Sequence, residues 1–495
     1  MEKPGSTRNV GGIEENILAI LDSSEAKDNQ DAYEDRITFL EAVRAASIVP
    51  KDGTPPTYAM FEAIFSILRI GKSLELTMES FRLLNELDKR FPRIYSSDVD
   101  NSTSSSSVPE LIVVEEAWYP FASSENASNE RGATNNSGGP VDSSGFQLLI
   151  QDLADATDEA NFQASETKTL ANMLLFQYLI NVLEWDFLPR NRIYKETMNW
   201  VVLRESLINM LLVSRKVNQK SLTKDCLTIM CNLYQTHAGF TDDLICSKKS
   251  VAQPAEKFDA AAAIALLEIG NNTCIAMQKF LVIIMELDVS KQSADIQGST
   301  TRADGIRSPL LEIILEELTY NKDILDPFLQ VFDEPKWKLE IVVKYLWKYI
   351  AKPSIRTRRS NGPPDDDASF NGALKCFSNI TSAKSTIKKI RTEVVQLLLA
   401  HGFQAHLSLP CENLLVGDTS TSDGETSSGL LVEICENIIS AFKNMKAADK
   451  RMEVLSLGKE ALFTAATIVS AKSQYVTGQL QIAIGESLTR TEERA

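Results

Sequence analysis

Apolar residues recur along most of this chain at three- and four-residue steps, the spacing that lines side chains up on one helical face. The clearest stretch runs from Thr167 to Gln235. Leu170, Met173, Leu174, Gln177, Tyr178 and Leu183 mark a first run, which Pro189 is expected to stop. Ile193, Trp200, Val201, Leu207, Ile208, Leu211 and Leu212 mark a second. Leu222, Cys226, Leu227, Ile229, Met230 and Leu233 mark a third, with Ser221 as its N-cap. The short connections near Asp186–Arg192 and Arg215–Lys220 predict antiparallel neighbours. These runs are apolar over more than one stripe, so they are expected to be sandwiched between other helices.

The same period predicts helices on either side. Ile13, Ile17 and Leu21 mark a short first helix. Tyr33, Ile37, Leu40 and Val43 mark a second, capped by Asp31. The turn Gly53-Thr54-Pro55-Pro56 leads to a helix carrying Met60, Ile64 and Leu68, which Gly71 ends. Leu74 to Leu87 follows. Beyond the centre, His237 to Gln253 reads as a loop, and Gly270-Asn271-Asn272 as a break between helices Lys257–Ile269 and Cys274–Leu287. Ser290 to Arg307 reads as a linker, and Ser308-Pro309 as the start of a helix reaching Leu318. Trp337 to Tyr349, Phe370 to Ile380, and Ile387 to Leu399 with His401-Gly402 at its end are also helical, as are Leu430–Met445 and Met452–Val469. No fixed repeat length emerges. The fold class is therefore all-α: an irregular armadillo- or HEAT-like helical solenoid, or a stacked helical bundle.

Composition divides the chain. The expected units are 1–95 (N-terminal helical unit), 96–145 (acidic flexible insert), 146–353 (central helical region), 354–368 (charged linker), 369–472 (C-terminal helical region) and 473–495 (tail). The insert is rich in Ser and Asn. It holds an apolar island, Leu111–Val114 and Trp118-Tyr119-Pro120-Phe121, that suits a short strand or a docking segment. At 495 residues the chain exceeds what one core supports.

Charge and chemistry narrow the function. The net charge of −16 argues against a protein built to grip phosphates. Seven cysteines, an odd number in mostly apolar settings, read as free thiols of a reducing compartment. The polar start lacks a secretory h-region, and no apolar run spans a bilayer. Gly71-Lys72-Ser73 lacks the earlier glycine of a phosphate-binding loop, and a helix cap explains it. His401, His406 and Cys411 have no fourth neighbour for a closed zinc site. With three histidines and no Gly-x-Ser-x-Gly, His-Glu-x-x-His or Gly-x-Gly-x-x-Gly motif, no enzyme, metal site, cofactor or small-molecule substrate is expected.

One strip breaks the acidic trend. Nine Lys or Arg residues lie between Lys352 and Arg391 against three aspartates. Lys384, Lys388 and Arg391 fall at i, i+4 and i+7, and Arg356, Arg358 and Arg359 precede them in the linker. These six are the candidate contacts for a partner or nucleic acid; a solvated face is the blander alternative.

Gly12-Ile13-Glu14-Glu15-Asn16, Phe39-Leu40-Glu41-Ala42-Val43-Arg44-Ala45-Ala46, Gly53-Thr54-Pro55-Pro56 and Gly71-Lys72-Ser73-Leu74-Glu75-Leu76 carry a family pattern. They resemble the plant negative regulators of systemic acquired resistance, found as suppressors of loss of the main salicylate-response coactivator. The resemblance implies a nuclear helical-repeat scaffold without catalytic residues. It implies an Nse-six-like subunit of the Smc five–six complex, with an Nse-five-like partner, indirect chromatin association and no membrane. It further implies roles in DNA-damage response, recombination and restraint of defence genes. It transfers no site residue. The alternative is a direct DNA-binding transcriptional repressor of defence genes.

Overall fold

The computed structural model describes residues 17–19, 21, 29–96, 110–115, 117–122, 138–158, 166–246, 257–301, 304–305, 307–350, 369–410 and 425–472. Among them the chain is almost wholly α-helical, with one two-stranded antiparallel sheet. Two compact units divide it, Met1–Val331 and Phe332–Ala495. The division thus falls inside the region expected to be continuous from 146 to 353.

In the first unit, helix α1 spans Asn29–Ser47, α2 Tyr58–Ile70 and α3 Leu74–Arg90. The Thr57 side chain accepts the Met60 N–H to start α2, and Gly71 ends it in the left-handed region (φ 58°) that favours glycine. Gly71-Lys72-Ser73 is therefore a helix-to-helix joint. Arg44 of α1 pairs with both Glu79 and Glu86 of α3. Tyr33 bonds Glu75, so α1 and α3 run parallel and in direct contact.

Strand β1 (Ile94–Ser96) pairs with β2 (Leu111–Val113), Ile94 opposite Val113. The apolar island expected either to form a strand or to dock does both within this unit. Trp118 stacks on Phe61 at 5.8 Å and meets Phe65 at 5.2 Å, so the segment is held on α2. Residues 138–145, also assigned to the insert, pack as well: Arg69 bonds the Gly139 carbonyl, and α4 (Ser143–Thr157) begins there, capped by Asp142. The remainder of the expected insert lies outside the described residues.

Helix α5, Glu166–Thr197, is the centre of the unit. It runs straight through Pro189, which therefore does not stop it, and the supposed connection at Asp186–Arg192 is helix. An Asp186–Arg190 ion pair (3.1 Å) spans the turn that holds the proline. Buried residues from Leu170 to Leu183 face several neighbours rather than one, as the sequence implies. Asn181 bonds Asn85 and Tyr178 bonds Asp88, so α3 and α5 are antiparallel.

Two short helices follow, α6 (Trp200–Arg204) and α7 (Leu207–Val213). Helix α8, Gln219–Cys246, is capped by Asn218, whose side chain accepts the Lys220 and Ser221 N–H groups; Ser221 is inside the helix rather than its cap. It also extends across much of the stretch read as a loop after His237.

Helix α9, Lys257–Ile296, is one helix, not two. Gln177 of α5 bonds the Ile269 carbonyl and the Thr273 hydroxyl, bracketing the supposed Gly270-Asn271-Asn272 break. Glu184 pairs with Lys279, and Tyr194 bonds the Ser290 carbonyl. These rising pairs make α5 and α9 parallel. Helices α10 (Leu310–Tyr320) and α11 (Leu325–Val331) close the unit. Pro309 is the N-cap of α10, and Asp288 accepts the Leu310 N–H in place of the expected Ser308 cap. Like-oriented helices recurring with others between them in the chain, α1 with α3 and α5 with α9, are the stacking habit of helical-repeat folds.

The second unit contains α12 (Pro335–Tyr349), α13 (Phe370–Lys375), α14 (Ile380–Ile390), α15 (Thr392–Ser408), α16 (Glu425–Ala448) and α17 (456–472). Helix α12 packs on α15, and α16 on α13 and α14. The helix expected from Ile387 to Leu399 is interrupted at Arg391 and then continues past His401-Gly402. Gly402 lies mid-helix, at a close approach where a Cβ would come within 2.6 Å of the Phe370 ring. His401 is buried in the helix, not placed at its C-terminus.

Candidate functional site

The basic strip is only partly described: Arg356, Arg358 and Arg359 lie outside the described residues. Lys384 and Lys388 sit on α14, one turn apart and exposed. Arg391 does not share their helical face. It is the joint between α14 and α15, with φ 72° and ψ 152°, and its guanidinium lies 3.6 Å from Glu393. Lys389 donates to the Tyr349 carbonyl, and Lys375 pairs with Glu433. Among the described residues of the strip, Lys384 and Lys388 are the exposed pair that shares one face of α14.

His401 and His406 are both buried, His406 stacked on Phe370, and Cys411 is outside the described residues. No cluster of three metal-binding side chains occurs among the described residues. Cys226, Cys231, Cys274 and Cys435 are buried free thiols, and burial pushes Cys231 and Cys274 up to about 12, keeping them protonated. Trp118, Trp200 and Trp337 are core residues. No helix among the described residues is long and apolar enough to cross a membrane.

A cleft that the sequence does not announce lies in the first unit, around Tyr119. Two cavities lie there. One, of about 330 Å³, is lined by Lys89, Arg93, Ile94, Trp185 and Leu188. The other, of about 720 Å³, lies between Phe121 and Val141 on one side and Leu207, Met210 and Val213 of α7 on the other. Tyr119 and Asp186 line both.

The floor is polar but self-contained. Asp186 accepts from Arg190 and from the Leu207 N–H, which ties the start of α7 to α5. Asp88 accepts from Arg93 and Tyr178. Asp304 accepts from the Trp200 indole and from Thr301. Burial raises the Asp186 and Asp88 carboxyls, and the arginine beside each opposes it. The Arg93 guanidinium lies 5.5 Å from the centre of the Tyr119 ring. Burial, and then the charge of Asp186, raise the Tyr119 phenol.

The walls are apolar. Leu188 and Met210 are each 53% exposed and Val213 44%. Helix α7 has buried Ile208, Leu211 and Leu212 turned inward and still shows Met210 and Val213 outward. That all-round apolarity of Leu207–Val213 was the available signal, since a seven-residue surface helix needs only one apolar stripe.

Comparison with known proteins places the chain. A family model described as the SNI1 middle domain matches residues 93–334, and one described as the SNI1 C-terminal domain matches residues 350–473. The chain is 46% identical over 465 residues to the "Negative regulator of systemic acquired resistance SNI1" of Arabidopsis thaliana, covering 94% of this chain and 96% of that protein. The chain belongs to the SNI1 family. The SNI1 middle domain match includes Tyr119 and both walls of the larger cavity, and it ends close to the division between the two units. No solved structure matches the chain.

Proposed function

We propose that this chain is a non-enzymatic nuclear scaffold that restrains systemic acquired resistance, acting as a subunit of an Smc five–six-type complex in DNA-damage response and recombination. The observation that carries the restraint of resistance is the match along nearly the whole chain to a protein named for that activity. Support for a scaffold comes from stacked helices that leave apolar side chains exposed on α5 and α7. The partners in this reading are proteins, an Nse-five-like subunit among them, and chromatin is reached through them.

Direct DNA binding is disfavoured. Binding to phosphates needs a concentrated positive surface. Here the net charge is −16, and Arg391, Lys375 and Lys389 are each engaged within the protein.

The test is complementation. The chain is expressed in an Arabidopsis line lacking its SNI1 protein, and defence transcripts are measured before induction. Return to the low basal level is expected. Persistently high transcripts with normal protein accumulation would contradict the proposal.

A further inference from the structure

We propose that Ser308 is a phosphorylation site for a proline-directed kinase, and that its phosphate is held by Arg215 across a cavity in the first unit. Such a site would regulate the chain whether or not it acts as a scaffold.

The acceptor is a serine followed by proline, the dipeptide that these kinases take. Ser308-Pro309 and Thr54-Pro55 carry the Ser/Thr-Pro pattern in this chain. Ser308 is exposed, and its hydroxyl makes no hydrogen bond to another described residue. Asp288 fixes its surroundings: one carboxylate oxygen accepts from Arg307 and the other from the Leu310 N–H. Ser308 and Pro309 therefore form a short arch between two anchored residues. Pro309 is extended, with φ −55° and ψ 138°, and it biases Ser308 away from helix too. Leu310 and Leu311 are buried, so the first turn of α10 opens for the transfer, as helix ends do more readily than cores. In that step the Ser308 Oγ bonds to the γ-phosphorus of ATP while the bond from that phosphorus to the bridging oxygen breaks. ADP leaves, and the hydroxyl proton passes to the kinase's aspartate.

The receiver is already in place. Ser308 lines a cavity of about 540 Å³ together with Arg215, Lys216 and Lys220, between the joint 214–218 and α10. Asp142 pairs with Lys216 at 2.9 Å, and Glu316 with Lys220 at 2.8 Å. Arg215 is exposed and has no ion pair or hydrogen bond among the described residues. Glu312 also lines the cavity and opposes an anion there. A phosphoserine carries a charge of about −1.5 to −2 at pH 7, which suits the fork of N–H donors on Arg215. Lys220 can exchange Glu316 for it, since exposed pairs of that kind are weak. Held in this way, the phosphate fastens the start of α10 to the joint between α7 and α8.

The test treats purified full-length chain with a cyclin-dependent kinase and magnesium ATP and maps the sites by mass spectrometry. Phosphate at Ser308 is expected, and none at that position in Ser308→Ala. The same phosphopeptide is expected in tagged chain isolated from plant nuclei. Phosphorus NMR then reads the receiver, because a free phosphoserine loses its second proton near pH 6, roughly. In the folded chain that ionisation should fall lower by about half a pH unit or more, through the arginine beside it. Arg215→Gln should return it towards the value of a phosphorylated peptide spanning 302–314, with circular dichroism unchanged. Glu312→Gln should lower it further. No phosphate at Ser308 in the treated chain, phosphate at Thr54 alone, or none at Ser308 in chain from nuclei would overturn the site. An ionisation equal to that of the peptide, or indifferent to Arg215→Gln, would overturn the receiver.

Discussion

Arg93 Nη2 lies 2.6 Å from Asp88 Oδ1, with both side chains almost wholly shielded from water. The pair joins the end of α3 to the strand that follows it, and Tyr178 of α5 donates to the other Asp88 oxygen. A buried pair of this kind is tolerated only while both partners are present, because either alone is an uncompensated charge. Arg93→Met should therefore cost about 3–5 kcal/mol. Asp88→Asn in the same chain should recover a good part of that loss. Urea unfolding of the single and double variants checks it, and additive losses would show that the two groups are uncoupled.

Burial also separates two kinds of leucine. Leu174 and Leu211 are core residues, whereas Leu148 is 57% exposed. Leu174→Asp or Leu211→Asp would place a charge in the core and should cost several kcal/mol, about the penalty of an unpaired buried group. Leu148→Asp should stay within about 0.5 kcal/mol of wild type. Thermal melts of the three variants distinguish them, and equal melting would contradict the packing of α5 and α7.

His401 gives the second unit a pH dependence. Burial, and then Lys338, hold its imidazole down to about 4, against 6.5 when exposed. The unfolded chain therefore binds a proton between those values that the folded chain refuses. Stability from this group is full above pH 6.5 and is lost as pH falls towards 4, by roughly 1.4 kcal/mol per pH unit. His401→Leu should flatten unfolding free energy against pH between 7 and 5, relative to wild type, since other groups are common to both. Identical slopes would contradict the assignment.

Among the described residues, two without glycine's freedom adopt positive φ, Met198 (55°) and Arg391 (72°). Arg391, with ψ 152°, occupies a region that is nearly glycine's alone. Arg391→Gly should raise the melting temperature, relieving about 1 kcal/mol or more of backbone strain. A lower melting temperature would mean that the lost Glu393 contact outweighs the strain.

The helical class is legible because period and burial agree: Leu170, Met173, Leu174 and Tyr178 are all core. Errors arise where a local breaker meets strong tertiary support. Pro189 lacks an N–H, yet α5 continues because Asp186–Arg190 and the packed neighbours hold that turn. Gly270-Asn271-Asn272 is a poor helical string, yet Gln177 secures the backbone beside it. The reverse holds at Arg391, where a regular i, i+4, i+7 pattern conceals a break. The Tyr119 cleft is illegible because its walls, Phe121 and Met210, come from segments far apart in sequence.

The proposed scaffold role of this SNI1-family chain is tested by purifying the tagged full chain from nuclease-treated plant nuclei and quantifying the co-purifying proteins by mass spectrometry. If the chain acts as such a scaffold, Smc five–six subunits, an Nse-five-like protein among them, are expected in near-stoichiometric amounts and undiminished by nuclease. Recovery of the chain without those subunits, or with DNA-dependent partners alone, would contradict it.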